Sequence, residues 1–184
     1  MEYLYHGSKV NGLTILSPKE AGHKDAFVYA VSELAFAVIF INRPGGSLLQ
    51  GWGRNKNTGI PYLVEKKEGT IDINYKNIPG SIYVVRKELF FQTSSLWKEE
   101  WISKKSVEVV EEIKIINLKE YLLNLERENK LEITYFKDRL INFPNIDNDA
   151  IKDARELITK YGNSVIESIK KYRPEILDKV IINN

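Results

Sequence analysis

The segment that most restricts the fold is residues 26–41, where a strand pattern runs directly into a helix pattern. Residues 26–31 are rich in strand-forming side chains, and Ser32 is predicted to cap a helix with Glu33 in its first turn. The helix itself is predicted over residues 34–41, all of which are apolar. A helix that is apolar on every side has to be enclosed by other elements, so the chain must build layers around it.

Short strand patterns dominate residues 1–116, and helical spacing of apolar residues dominates residues 117–184. Besides residues 26–31, strands are predicted over residues 3–8, 60–65, 70–75, 81–85, 99–103 and 106–116. The strands do not alternate regularly with helices, which argues against a doubly wound parallel sheet. The sequence therefore predicts an α+β fold with mixed, mostly antiparallel sheets over residues 1–116 and a helical C-terminal subdomain over residues 117–184.

The helical part carries its own start and stop signals. Asn117 is a candidate N-cap for the first helix, and Gly162 is predicted to end a helix over residues 150–161. Further helices are predicted over residues 164–172 and from Pro174 onward. The lysines of this part alternate with acidic residues, so a solvated face is favoured over a nucleic-acid patch.

Residues 42–59 form a long glycine-rich break between the apolar helix and the next strand. Loops of this length are uncommon unless they are functional or disordered, so both a flap over a site and a plain connector stay open. Trp52, Arg54 and Lys56 lie in this segment. They would suit stacking and pairing with a nucleic-acid strand.

Composition excludes several classes of function. The 184-residue chain has no Cys and only two His, which excludes disulfides, thiolate metal sites and cysteine nucleophiles and disfavours a His-rich metal site. A net charge of +2 gives no whole-chain signal for nucleic acid or an anionic membrane. No signal peptide pattern is visible, and the longest apolar run is too short to span a bilayer, so a cytoplasmic protein without membrane contact is expected.

The stretch Tyr3-Leu4-Tyr5-His6-Gly7-Ser8 is the main candidate for a site. Side chains alternate along a strand, so the imidazole of His6 is held on one face just before a glycine that allows a close approach. The hydroxyl of Ser8 can donate and accept. Together these groups could hold a sugar diol. The alternative is a half-buried histidine at a strand end with a structural hydrogen bond.

Three segments together resemble the ADP-ribosyltransferase fold, in the branch with a His–Tyr–Glu triad. That branch includes diphtheria-toxin-like and poly(ADP-ribose)-polymerase-like enzymes, and RNA 2′-phosphotransferases share its fold. The matching segments are residues 4–8, residues 28–37 and residues 99–103. The resemblance lies within residues 1–116 and implies NAD as the substrate.

The resemblance also implies a role for each matching residue. His6 would hold the ribose and adenosine side of NAD, with Gly7 and Ser8 beside it. Tyr29 would stack on nicotinamide, and Glu100 would stabilise positive charge on the ribose as the glycosidic bond breaks. Phe36 would be a further contact to NAD, near the place where relatives often carry a second tyrosine, so the aromatic set is incomplete there.

Three functions follow from these observations. The first is NAD-dependent ADP-ribosyl transfer, or a related NAD-using transfer, to an unknown acceptor that could be a protein or a nucleic acid. The second is a catalytically inactive module of the same fold that binds NAD, an ADP-ribose-like nucleotide or a protein partner. The third is an RNA- or DNA-binding accessory protein that uses the glycine-rich segment.

Overall fold

The computed structural model describes residues 2–21, 23–94 and 97–181, with the backbone alone at residues 21 and 23–25. Its strands are β1 Tyr3–Ser8, β2 Ile15–Leu16, β3 Lys19–Ala21, β4 His23–Val31, β5 Gln50–Arg54, β6 Pro61–Glu65, β7 Gly80–Arg86, β8 Glu100–Ser103, β9 Val107–Glu108, β10 Glu111–Ile115 and β11 Glu132–Thr134. Its α-helices are α1 Leu34–Ile41, α2 Thr70–Tyr75, α3 Leu118–Arg127, α4 Arg139–Asn142, α5 Ile146–Tyr161, α6 Asn163–Tyr172 and α7 Leu177–Ile181. Single 3₁₀ turns occupy Gly46–Leu48, Lys87–Leu89 and Pro174–Ile176. The predicted α+β class with mostly antiparallel sheets is confirmed.

The chain divides into two compact units, each built from two separate stretches. The first unit comprises Met1–Asn42 and Tyr75–Lys130, and the second comprises Arg43–Asn74 and Leu131–Asn184. This division differs from the predicted boundary at residues 116/117. Helix α3 belongs to the first unit because its apolar stripe is buried there, with Leu118 and Leu122 fully inaccessible to solvent. Asn117 caps this helix as predicted, and its side chain accepts a hydrogen bond from the Lys119 amide at 3.2 Å.

The first unit is organised around a sheet in the strand order β10-β7-β1-β4-β3, and β8 also pairs with β4. Strand β1 pairs with β7 along its whole length, from Tyr3 opposite Arg86 to Ser8 opposite Ser81. With β4 it forms a single pair in the described residues, Tyr5 opposite Val31. The two strands therefore diverge after Tyr5, at the position of His6.

Helix α1 spans residues 34–41 as predicted, and it lies directly on β1. A Cβ atom added to Gly7 would lie 2.1 Å from the carbonyl oxygen of Ala37, so only a glycine permits this approach. The predicted Ser32 cap is wrong, because Glu33 occupies the N-cap position and makes no side-chain cap. The Ser32 hydroxyl instead donates to the buried carboxylate of Glu99 at 3.4 Å.

The other face of this sheet covers a separate apolar cluster. Its buried members are Leu4, Leu16, Val28, Ala30, Tyr83, Val85, Phe90 and Val107. Since side chains alternate along a strand, Tyr5 and Gly7 point to the face that α1 covers, which we call the α1 face. Leu4, His6 and Ser8 point to the opposite face, which we call the cluster face.

The second unit combines a three-stranded sheet with a helical cluster. Strand β6 pairs with β5 in antiparallel orientation and with β11 in parallel orientation. The buried side chains of its apolar cluster are Leu48, Ala154, Val165, Ile169, Ile176 and Val180. Gly162 ends α5, as predicted, although this helix begins at Ile146, four residues before the predicted start.

Residues 70–75 form helix α2, so the predicted strand is wrong. The Glu65 carboxylate accepts a hydrogen bond from the Ile71 amide at 2.8 Å, and the Thr70 hydroxyl donates to the Lys67 carbonyl at 2.7 Å. Ile71, Asn74 and Tyr75 are buried at helical spacing, while Ile73 is 63% exposed. The alternation of apolar residues in the sequence therefore did not correspond to the faces that the fold buries.

Two further predictions need correction, that of the glycine-rich break and that of the closing strand. The glycine-rich break contains strand β5, in which Gly51 and Gly53 lie opposite Val64 and Tyr62 of β6. A Cβ at Gly53 would come within 2.9 Å of the Tyr62 hydroxyl, so these glycines make room for large neighbours across the sheet. The single closing strand predicted over residues 106–116 is divided into β9 and β10.

Candidate functional site

His6 lies where β1 and β4 diverge. Beyond the pair of Tyr5 with Val31, the side chain of His6 and not a backbone amide makes the next hydrogen bond from β1 to β4 in the described residues. Nδ1 of His6 lies 2.6 Å from the carbonyl oxygen of Tyr29 in β4. A carbonyl oxygen can only accept, so Nδ1 must carry the proton. In the neutral ring Nε2 is then an acceptor, suited to a hydroxyl group of a ligand.

Burial lowers the pKa of His6 below its ordinary value of 6.5. The hydrogen bond to the Tyr29 carbonyl raises the pKa, whereas the nearby positive charge of Lys19 lowers it further. The net effect is a lowered pKa. A lowered pKa keeps the imidazole neutral at neutral pH. His6 is thus a fixed hydrogen-bond acceptor at Nε2 rather than a cation.

Gly7 and Ser8 are both engaged by the protein itself. The space beside Gly7 is filled by the Ala37 carbonyl and the Ile41 side chain of α1. The Ser8 hydroxyl accepts a hydrogen bond from the Val10 amide at 3.1 Å. The close approach that the sequence predicted at Gly7 is therefore made by the backbone of α1.

His6, Tyr29 and Glu100 lie on three strands that are consecutive neighbours in the sheet, β1, β4 and β8. The register puts Tyr5, Val31 and Glu100 in one row across these strands. Directly opposed residues share a face, and so do residues two apart on one strand. Glu100, which lies opposite Val31, and Tyr29, which lies two residues before Val31, therefore point to the α1 face. His6 points to the cluster face, and the sheet therefore brings the three residues onto adjacent strands but not onto one face.

The aromatic residues predicted for nicotinamide differ in their surroundings. Tyr29 is half-buried and meets the Phe27 ring edge-on, with ring centres 6.0 Å apart. Phe36 is fully buried in α1, where it contacts the Trp97 ring edge-on at 4.7 Å and stacks near Phe40 at 6.5 Å. Phe36 therefore acts mainly in packing. Trp97, which no sequence pattern indicated, is half-buried beside it, as is Phe40.

A polar network beside His6 leaves no local signal in the sequence. Tyr83 lies opposite His6 in β7, and Glu112 lies opposite Tyr83 in β10, so all three share the cluster face. The Glu112 carboxylate accepts from the hydroxyls of Ser81 and Tyr83, at 2.6 and 3.2 Å, and from the Gly12 amide at 2.9 Å. These donors lower the pKa of Glu112, led by Ser81. Only the register could reveal this row, because its members are distant in sequence.

The Tyr83 hydroxyl fixes the segment that follows β1. Its single proton is shared between the Val10 carbonyl at 2.7 Å and the Glu112 carboxylate at 3.2 Å, and its oxygen accepts from the Leu13 amide at 3.1 Å. Together with the bond from Gly12 to Glu112, these contacts hold residues 10–13 against the edge of the sheet next to His6. The network therefore sets the position of the chain that borders the candidate site.

A cavity of about 370 Å³ opens on the first unit near the start of α1. Tyr5 and Tyr121 line it, together with Glu33 and the ion pair of Lys130 with Glu128, whose atoms are 2.7 Å apart. Burial raises the pKa of Tyr121, and the charge of Glu128 adds to the shift, so this phenol stays protonated at neutral pH. The cavity borders Tyr5, the neighbour of His6 in β1.

In the part of the chain that the structure describes, no group of three or more His, Asp or Glu side chains is arranged to bind a metal ion. Among the helices of those residues, none has both the length and the apolar character to cross a membrane. Neither family models, nor curated proteins, nor solved structures contain a match to this chain.

Proposed function

We propose that this protein binds NAD and transfers its ADP-ribosyl group, or uses NAD in a related transfer, with a protein or nucleic acid as acceptor. The observation that carries the proposal is the fixed imidazole of His6, whose Nδ1 is held by the Tyr29 carbonyl at 2.6 Å. This contact makes Nε2 an acceptor for a ribose hydroxyl and links the candidate ribose-binding strand to the strand of Tyr29.

Glu100 is the carboxylate that we assign to such a reaction, and the register places it on the α1 face while His6 lies on the cluster face. Cleavage of the bond between nicotinamide and ribose leaves positive charge on the sugar, and a nearby carboxylate stabilises that charge. Glu100 begins β8, one strand beyond Tyr29, and is half-buried. Its neighbour Glu99 is only 7% exposed, and its carboxylate accepts a hydrogen bond from Ser32. Glu99→Gln is therefore the matched control for Glu100→Gln.

The experiment is to incubate the protein with NAD labelled on the adenylate and to measure both nicotinamide release and label transfer to protein and RNA acceptors. Glu100→Gln should lower nicotinamide release by about a hundredfold or more, as loss of a main electrostatic group does. Glu99→Gln should have a much smaller effect. Absence of nicotinamide release and of transfer, under conditions where calorimetry detects NAD binding, would refute the enzymatic proposal.

A second candidate function is a catalytically inactive module that binds NAD or an ADP-ribose-like nucleotide. The sheet register favours it, because His6 and Glu100 point to opposite faces. The full burial of Phe36 also favours it, because a buried ring offers no surface to nicotinamide. Calorimetry separates the two functions: His6→Gln should weaken NAD binding in both, whereas only the enzyme releases nicotinamide.

A further inference from the structure

A second cavity, of about 450 Å³, lies in the second unit beside the loop that joins β5 to β6. We call it the hairpin cavity. Its walls come from that loop, from Tyr62 of β6, from β11 and from the end of α4 at Phe143. Its volume lies in the range of small-molecule sites. His6 is not among its lining residues, and the inference drawn from it does not depend on the function proposed above.

The loop of the hairpin cavity is held by a dense set of hydrogen bonds. The side-chain oxygen of Asn55 accepts from the amides of Asn57 and Thr58, at 2.9 and 3.4 Å. The Glu132 carboxylate accepts from the Asn55 amide group at one oxygen and from the Thr58 hydroxyl at the other, both at 2.7 Å. The loop therefore presents its other side chains from a pre-organised backbone, and both oxygens of Glu132 are engaged.

One wall of the cavity is aromatic. The rings of Tyr62 and Phe143 lie 5.2 Å apart at 47°, and both side chains are half-buried. Burial raises the pKa of Tyr62, and the nearby charge of Asp149 adds to the shift, so the phenol remains neutral. Flat neutral rings of this kind can stack with a nucleobase, and each stacked base contributes about 1–3 kcal/mol.

The rim carries positive charge and amide groups. The Arg54 guanidinium is positioned by a hydrogen bond from Nη1 to the Gly59 carbonyl at 2.7 Å. Lys56 is exposed at the tip of the loop, and the exposed amide side chains of Asn57 and Asn142 lie at the same rim. Cations attract phosphate, and amides both donate to and accept from base edges.

We propose that the hairpin cavity binds a nucleobase together with its phosphate, as presented by single-stranded RNA or by a free nucleotide. A carbohydrate would also use aromatic walls, and a carboxylate with open oxygens would serve as an acceptor for its hydroxyl groups. Among the described residues that line the cavity, the carboxylate is that of Glu132, and it already accepts from Asn55 and Thr58 at both oxygens. The cations at Arg54 and Lys56 match a phosphate instead.

The test measures binding of a fluorescein-labelled oligouridylate of roughly ten nucleotides, a length within the usual site sizes of single-strand binders, to the full chain. Phe143→Leu keeps the apolar volume but removes the ring, and should raise the Kd about tenfold. Lys56→Gln should weaken binding and lower the slope of log Kd against log salt concentration by about 1. Lys137→Gln is the matched control, because Lys137 is an 82% exposed lysine of the same unit outside the cavity lining.

Adenosine monophosphate as a competitor distinguishes the two sources of the ligand. Displacement of the labelled RNA at low concentrations of the nucleotide indicates a free-nucleotide site, and persistence of the complex indicates a single-strand site. Either result supports the proposal if the cavity variants weaken binding. The proposal is overturned if neither probe binds, if Phe143→Leu and Lys56→Gln bind like the wild type, if Lys137→Gln weakens binding as much as Lys56→Gln, or if a neutral oligosaccharide displaces the RNA.

Discussion

Replacing Gly7 with alanine should destabilise the first unit more than an ordinary glycine substitution. The new Cβ would lie 2.1 Å from the Ala37 carbonyl oxygen and 2.8 Å from Cγ1 of Ile41, and Cβ atoms essentially never approach a neighbour within 3.0 Å. Helix α1 would have to withdraw by roughly 1 Å from a closely packed strand. Forced overpacking usually costs about 1–3 kcal/mol, and contact with rigid backbone places this case at the upper end, about 3 kcal/mol.

Gly12→Ala provides the control for this substitution. Gly12 has a φ of +75° and no atom within 4 Å of an added Cβ, so alanine there meets backbone strain without a clash. That strain costs about 1–2 kcal/mol. Gly7→Ala should therefore lower the free energy of unfolding by at least about 1 kcal/mol more than Gly12→Ala does.

Urea denaturation measures both variants, with tryptophan fluorescence as the probe. Trp97 contacts Phe36 of α1 edge-on at 4.7 Å, so withdrawal of the helix should also change its emission in the native state. Hydrogen exchange should show faster exchange in α1 for Gly7→Ala. If Gly7→Ala proves no less stable than Gly12→Ala and leaves the Trp97 emission unchanged, the close approach of α1 to β1 is wrong.

Three further predictions concern the surroundings of His6 and the start of α3. Because burial holds the native pKa of His6 below its unfolded value of 6.5, the unfolded state binds the proton more readily, and stability should fall as the pH decreases from 6.5 through the native pKa. His6→Gln should flatten that part of the pH profile. Tyr83→Phe should cost about 1–3 kcal/mol, since it removes a partner from the Val10 carbonyl and the Leu13 amide, and should speed hydrogen exchange at Leu13. Asn117→Ala should cost about 1 kcal/mol through loss of the N-cap, measured by denaturation.

Each of these predictions has an outcome that contradicts it. An unchanged pH profile in His6→Gln would mean that the imidazole titrates freely. Wild-type exchange at Leu13 in Tyr83→Phe would mean that the phenol does not hold the segment after β1. Equal stability of Asn117→Ala and the wild type would mean that the Asn117 side chain does not stabilise helix α3 as an N-cap.

Helix α1 was predicted to the residue because its eight apolar positions left no other way to be buried. Strand β5 was missed because Gly51 and Gly53 have the composition of a loop, whereas their function depends on Val64 and Tyr62 across the sheet. Helix α2 was predicted as a strand because its apolar residues alternate along the sequence. The Glu65 carboxylate stabilises the first turn of the helix by accepting a hydrogen bond from the Ile71 amide, and this contact is not visible in the alternation.

The candidate site shows the same limit. Sequence order identified His6, Tyr29 and Glu100 as strand residues, and their strands are neighbours. The faces on which they lie depend on the register between distant strands. The same register creates the row from His6 through Tyr83 to Glu112, which no local pattern indicates.

The parallel pairing of β6 with β11 has a consequence for synthesis of the chain. The β5–β6 hairpin is translated before Glu132–Thr134, so the growing chain carries a β6 edge whose backbone groups have not yet met their partner strand. Such edges pair readily with other strands, and pairing between distant segments forms slowly. Newly made copies should therefore be open to mispairing at this edge until Glu132–Thr134 has emerged.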